Sequence, residues 1–186
     1  MSLSSNEVFV DCGAYTGDTI LSFINKVGKF KYIYAFEPDE ENFKTLNKEL
    51  EELSVNACND QIIAFNAGVF DKNERVLFQP NSNGGGSQIN ENGLQTIEVL
   101  ALDSVLCEKE VTFIKMDIEG AEKEALLGAK EIITSQRPKL AICVYHKPED
   151  LWEIPLLIKS WVPEYKLYLR HHCHDITETV CYAVLD

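Results

Sequence analysis

Short apolar runs alternate with amphipathic segments along this chain. The runs predict strands over Val8–Asp11, Tyr32–Glu37, Gln61–Asn66, Val111–Met116 and Lys139–Val144. Each has strand length and is bounded by turn residues, the pattern of strands buried on both faces. Between them apolar residues recur at helical spacing. Ile20, Leu21, Phe23, Ile24 and Val27 predict a helix over Asp18–Val27. Phe43, Leu46, Leu50 and Leu53 predict a second, opened by Pro38 and Asp39 and running to about Leu53. Gly120–Ala129 and Glu149–Trp161 read as further helices, the last broken near Pro155. Val76–Gln79 with Thr96–Ala101, and Tyr165–Leu169 with Thr179–Val184, read as strand pairs. The alternation predicts a doubly wound α/β/α sheet in three layers, mostly parallel, with a C-terminal antiparallel strand pair.

Polar residues gather where these runs stop. Asp11, Glu37, Asn66, Asp117 and the pair Tyr145-His146 all fall at predicted strand ends. A doubly wound sheet binds its ligand at the carboxyl ends of its strands. The first such end is the most informative. In Val10-Asp11-Cys12-Gly13-Ala14-Tyr15-Thr16-Gly17-Asp18 a strand meets a glycine turn and then a helix N-terminus. Such a turn brings bare backbone close to a ligand. Glu37, ending the next run, suits the two hydroxyls of a ribose.

A dinucleotide site shows G-x-G-x-x-G, whereas Cys12 and Tyr15 stand here where further glycines are sought. Acidic strand ends also repel a polyphosphate. They suit a ligand carrying hydroxyls, an amine and a sulfonium, which describes S-adenosyl-L-methionine. An NAD-type oxidoreductase is the weaker alternative, and a non-catalytic module binding the same sulfonium cofactor is the other.

Composition narrows partners and setting. The 186 residues suit one domain, expected over 8–186 behind a loose tail or cut point at 1–7. The formal charge of −13 argues against nucleic acid and anionic membrane surfaces as partners. No apolar run reaches transmembrane length and no signal-peptide core opens the chain. The six cysteines lack C-x-x-C spacing and read as scattered core thiols, which fits a cytoplasmic location. Asn81-Ser82-Asn83-Gly84-Gly85-Gly86-Ser87 reads as a mobile connection, either a lid or a plain hairpin link.

The ordered motifs resemble those of class I methyltransferases that use S-adenosylmethionine. The segment from Val10 to Asp18 is similar to their first motif and Phe36-Glu37-Pro38-Asp39 to their second. Phe113-Ile114-Lys115-Met116-Asp117-Ile118-Glu119-Gly120-Ala121-Glu122, with Leu126-Leu127-Gly128-Ala129 after it, resembles the FkbM family in particular. Tyr145-His146-Lys147-Pro148-Glu149-Asp150-Leu151-Trp152-Glu153-Ile154-Pro155 is similar to that family too. The resemblance implies a Rossmann-like seven-stranded sheet and methyl transfer, typically to a hydroxyl oxygen of a sugar or polyketide-like acceptor. Little of the chain precedes the first strand, where such enzymes often carry helices that help close the site.

On this reading Gly13 and Gly17 shape the turn under the cofactor, with Tyr15 and Asp18 beside it. Asp11 accepts from the cofactor amine or a bridging water, although it could equally cap the turn. Glu37 takes the ribose hydroxyls, and Asn66 and Ala67 edge the adenine. Asp117 lies where acceptor and sulfonium meet, and Glu119 follows toward the acceptor. A hydroxyl acceptor benefits from a base, for which His146 is the first candidate and Asp117 the second. His171 is a candidate for acceptor recognition. His172, His174 and Asp175 lack a completing ligand pair, so no metal is expected. The acceptor is expected to be a small molecule or saccharide, and the oligomeric state is open.

Overall fold

In a computed structural model of the protein, the described residues are 1–54, 61–80, 86–174 and 177–185. The elements are β1 (Val8–Cys12), α1 (Asp18–Val27), β2 (Tyr32–Phe36), α2 (Glu40–Ser54), β3 (Ile62–Phe65), β4 (Gly68–Val69), β5 (Glu74–Gln79), β6 (Gln88–Ile89), β7 (Gln95–Leu100), α3 (Leu102–Val105), β8 (Phe113–Met116), α4 (Glu122–Leu127), α5 (Lys130–Gln136), β9 (Lys139–Cys143), α6 (Asp150–Trp161), β10 (Lys166–His171) and β11 (Thr179–Val184).

Seven strands form the main sheet, in the order β10-β11-β9-β8-β1-β2-β3. Neighbours from β3 to β9 are parallel, while β11 runs antiparallel to both β9 and β10. Strand alternation divides the core between the two faces. Val8, Val10 and Cys12 of β1 join Ile114, Met116, Leu140 and Ile142 against α4, α5 and α6. Phe9 points the other way and joins Ile33 and Ala35 against Ile20 and Phe23 of α1 and Leu46 of α2. The Phe9 ring sits 4.7 Å from Phe113 and 4.6 Å from Phe23. Three layers therefore close around a Rossmann-like sheet. The chain leaves β1 toward β2 on one side and returns to β8 on the other, so the switch point lies between β1 and β8.

The structure differs from the sequence reading in four places. A second sheet, ordered β4-β7-β5-β6, stands beside the first. The expected pair near 76 and 96 is its antiparallel β5–β7 centre. The helix expected over 120–129 is instead α4, with α5 following it. The break falls at Gly128, where a side-chain Cβ would lie 2.0 Å from the Phe70 carbonyl oxygen. α6 runs unbroken through Pro155, because Ile154 and Ile158 are both fully buried and pin the turns on either side of it. Finally, the chain start is held at Glu7, while Met1, Ser2, Ser4, Ser5 and Asn6 are exposed. Glu7 is fully buried and binds Lys139 Nζ at 2.7 Å, Thr112 Oγ1 at 2.5 Å and the Ser4 N–H at 2.9 Å. The expected mobile segment lies mostly outside the described residues, as does Asp175. Cys12, Cys143 and Cys181 are buried free thiols. Among the described residues no helix is long and apolar enough to cross a membrane.

Glu7 ties the chain start to the N-terminal ends of β8 and β9. Burial opposes its charge, but Lys139, Thr112 and Ser4 outweigh it and hold its pKa below the ordinary 4.5. Glu7→Gln is expected to lower unfolding stability at pH 7 by about 1–3 kcal/mol, measured in urea. A lowered carboxylate stabilises above its unfolded pKa and loses that contribution as pH falls through the folded value. The gap between wild type and variant should therefore narrow below pH 4.5. A gap that stays constant down to pH 3 would refute the charge-based account.

Candidate functional site

A cleft opens over the carboxyl ends of β1, β2 and β8, at the switch point. Its floor is the turn after β1. Gly13 sits at φ +78°, and a Cβ there would lie 2.0 Å from the Asp117 carbonyl oxygen. The backbones of the two strand ends thus touch in a way only glycine permits. The N–H groups of Gly13 and Ala14 both donate to the Phe36 carbonyl at 3.0 Å, fastening the turn to β2. Gly17, at φ +95°, caps α1 from behind, while Gly13, Tyr15, Asp18 and Thr19 line the cleft.

Glu37 is the centre of this arrangement. It is 5% exposed and lines the cleft. One carboxylate oxygen accepts the Tyr15 N–H at 2.9 Å and the other accepts the Asp39 N–H at 2.9 Å. The group is thereby fixed in orientation, with the Asn42 side chain as a further donor, and the carboxylate keeps acceptor capacity for a ligand. Burial pushes its pKa up to about 7, against the pull of the Asp39 and Tyr15 N–H groups. Tyr15 (φ +50°) and Glu119 (φ +58°) both line the cleft in left-handed backbone conformations. Such positions cost free energy and gather at ligand sites.

Asn66 and Ala67 do not line the cleft. The Asn66 amide donates to the carbonyls of Glu37 and Pro38 at 3.0 and 3.3 Å, so it clamps the turn that presents Glu37. Ala67 is buried. The neighbouring Gly68 and Val69 line the cleft instead, facing Phe78, Ile89 and Ile97 of the second sheet. The sequence predicts the β5–β7 pair but not that its apolar face walls the cleft, because β4 and β6, which join it to the site, are two residues each. Its one signal is the alternation of buried Ile97 and Val99 with exposed Thr96 and Glu98.

Asp11 is fully buried beneath the turn, one layer below the cleft lining. It lies opposite Lys115 in the β1–β8 register, with Lys115 Nζ 3.1 Å from its carboxylate. That ammonium also donates to the Gly13 carbonyl at 2.9 Å. Burial works against the Lys115 charge, but Asp11 and then Asp117 outweigh it and hold its pKa above the usual lysine value. Lys115 thus braces the turn from within and lines the cleft, a role its place in the sequence does not announce.

Asp117 lines the opposite wall and accepts the Tyr145 hydroxyl at 3.1 Å. Glu119 lines it too, and its carboxylate accepts the Gly86 N–H at 3.0 Å. His146 does not reach the cleft surface. It is packed behind these groups with its side chain 8% exposed, within 3.5 Å of Asp117, 3.4 Å of Glu119 and 2.8 Å of Glu122. Burial opposes a charge on the ring, but Glu122, Asp117 and Glu119 outweigh it and raise its pKa above 6.5. Packed behind the wall and not lining the cleft, the ring stands out of direct reach of a bound acceptor, which tells against it as the first candidate base. Glu122, a helix-start charge by its position, is also fully buried and accepts the Ile118 N–H at 2.9 Å. His171 lies on the exposed β10 and pairs with Thr179 at 2.9 Å, away from the cleft. His172 pairs with Tyr182 at 2.9 Å.

A curated relative, the 2-O-methyltransferase NoeI of Sinorhizobium fredii, is 23% identical over 86% of this chain and 72% of its own. The crystal structure of methyltransferase FkbM from Methylobacillus flagellatus KT superposes with a TM-score of 0.87 at 33% identity, over 99% of this chain and 45% of that one. The chain therefore spans less than half the length of that protein. TrmK of M. capricolum, solved with S-adenosyl-homocysteine, shares the fold with a TM-score of 0.54 at 14% identity, over 97% of this chain and 62% of its own. The methyltransferase FkbM domain matches residues 11–172, and the chain belongs to that family.

Proposed function

We propose that the chain binds S-adenosyl-L-methionine in this cleft and transfers its methyl group to a hydroxyl oxygen of a small molecule or saccharide. The observation that carries the reading is the Glu37 carboxylate. It is buried, anchored through both oxygens and turned into a cleft floored by backbone and walled by apolar side chains. A ribose diol fills the remaining acceptor capacity, and the wall of Val69, Phe78 and Ile97 suits a flat adenine. The acidic surroundings favour the amine and sulfonium of the cofactor. Methyl transfer is an in-line displacement that depends on alignment. Asp117 faces the cleft and is set to orient an acceptor hydroxyl, with Glu119 flanking it. The S. fredii relative, named a 2-O-methyltransferase, supports oxygen as the acceptor atom.

Calorimetric titration with S-adenosylhomocysteine tests the cofactor half. Both ribose hydroxyls donate best to an ionised Glu37, whose pKa of about 7 sits within the working range. Binding should therefore release a proton and strengthen as pH rises, with affinity at pH 6 about tenfold below that at pH 8. Absence of binding, or affinity that grows as pH falls, would sink the assignment.

A further inference from the structure

We propose that Asp117, Glu122 and His146 form a binding site for a divalent transition-metal ion, Mn2+ or Zn2+, at the back wall of the cleft. Each residue brings one donor atom, and the three donors lie within 4.8 Å of one another. Asp117 and Glu122 flank the turn from β8 to α4, and His146 comes from the segment after β9. Folding alone brings them together.

Not every polar atom of this cluster is satisfied by the protein. Both ring nitrogens of His146 are buried without a well-directed hydrogen bond: Nδ1 stands 2.8 Å from Glu122, and Nε2 stands 3.4 Å from Glu119 and 3.5 Å from Asp117. Glu122 Oε1 is taken by the Ile118 N–H, while its Oε2 is buried with no partner. A buried orphan acceptor on a fully buried side chain costs free energy unless a ligand meets it. Three carboxylates stand within 3.5 Å of this one imidazole.

The donor set selects the ion. One imidazole and two carboxylates suit a borderline first-row cation better than an all-oxygen ion such as Ca2+. Bonds of about 2.0–2.2 Å place neighbouring donors about 3–3.5 Å apart. The Asp117 to His146 separation of 3.5 Å is at that limit. The Tyr145 hydroxyl on Asp117 Oδ1 supplies the outer hydrogen bond that orients a metal-bound carboxylate. Because Asp117 lines the cleft, the ion would act as a Lewis acid beside the acceptor oxygen. That consequence rests on the methyl-transfer reading. Binding of the ion does not.

The test uses protein stripped with chelator and titrated with Mn2+ or Zn2+ alone, without cofactor, by calorimetry and by Mn2+ electron paramagnetic resonance. One ion per chain is expected, with a rise in unfolding temperature. Asp117→Asn and His146→Ala should each weaken binding at least tenfold. Asp117→Asn removes a partly exposed charge, so it serves if His146→Ala fails to fold. Saturable one-to-one binding lost in the variants supports the site. Lack of saturation by 1 mM of either ion, or binding unchanged in Asp117→Asn, overturns it. Unaltered S-adenosylhomocysteine affinity in the stripped protein separates this result from the fate of the cofactor assignment.

Discussion

Gly13→Ala is expected to destabilise the protein by about 3–5 kcal/mol, the largest effect of any single methyl addition in the turn. Two costs combine. Gly13 holds φ +78°, where an L side chain is disfavoured, and its Cβ would stand 2.0 Å from the Asp117 carbonyl oxygen. That oxygen is backbone and cannot rotate away. Relief requires the ends of β1 and β8 to part. Parting them strains the Asp117 N–H bond to the Cys12 carbonyl at 3.1 Å, and the two N–H groups that hold the turn to Phe36. The other glycines calibrate the claim. At Gly17 (φ +95°) a Cβ meets only the Leu46 Cδ1 methyl, at 3.0 Å, and at Gly28 (φ +72°) it meets nothing. Gly28→Ala should cost about 1 kcal/mol and Gly17→Ala about 1–2 kcal/mol, from the backbone conformation alone plus one movable methyl. Urea unfolding of the three variants gives the order directly. If Gly13→Ala unfolds no more easily than Gly28→Ala, the close approach of β1 to β8 is not as described.

The same turn separates what is legible in the sequence from what only folding sets. Asp11, Glu37 and Asp117 end apolar runs, and strand ends are local features, so the chain itself announces that these residues lie along one edge of a sheet. Glu37 then faces the cleft because the sheet is doubly wound, which the strand–helix alternation also announces. Asp11 is harder. Its partner Lys115 is distant in sequence, and only the β1–β8 register sets them opposite each other. Register of a crossover strand has no local signature, so a carboxylate that braces the turn reads as one that touches the ligand. His146 misleads for a related reason. A histidine at a strand end reads as exposed, but α4 folds over it and carries Glu122 into the core beside it. The second sheet escapes because β4 and β6 are two residues long, shorter than any periodicity can reveal. Its wall completes the cleft with Phe78 and Ile97, residues that look like ordinary hairpin positions.

Glu37→Ala is expected to weaken S-adenosylhomocysteine binding by at least a hundredfold. Two hydroxyl hydrogen bonds to a charged acceptor contribute about 1.5–3 kcal/mol each, so losing both costs about 3–6 kcal/mol. The N–H groups of Tyr15 and Asp39, which now end on the carboxylate, would lose their acceptor as well. That second loss loosens the turn that positions Tyr15 and blurs a simple reading of the variant. Glu37→Gln resolves it. Glutamine keeps the shape and one acceptor oxygen, but it sets an NH2 group against one of the two backbone N–H donors. It should therefore bind poorly too, and it should lose the pH dependence expected of a group with a pKa of about 7. Stability separates the two contributions. Removing the carboxyl also removes a charge that is disfavoured by burial, so the unfolding temperature of Glu37→Gln should change little near pH 7.5 while affinity collapses. Binding within threefold of wild type in both variants would mean that the ribose lies elsewhere and that Glu37 serves only to hold the β1 and β2 turns together.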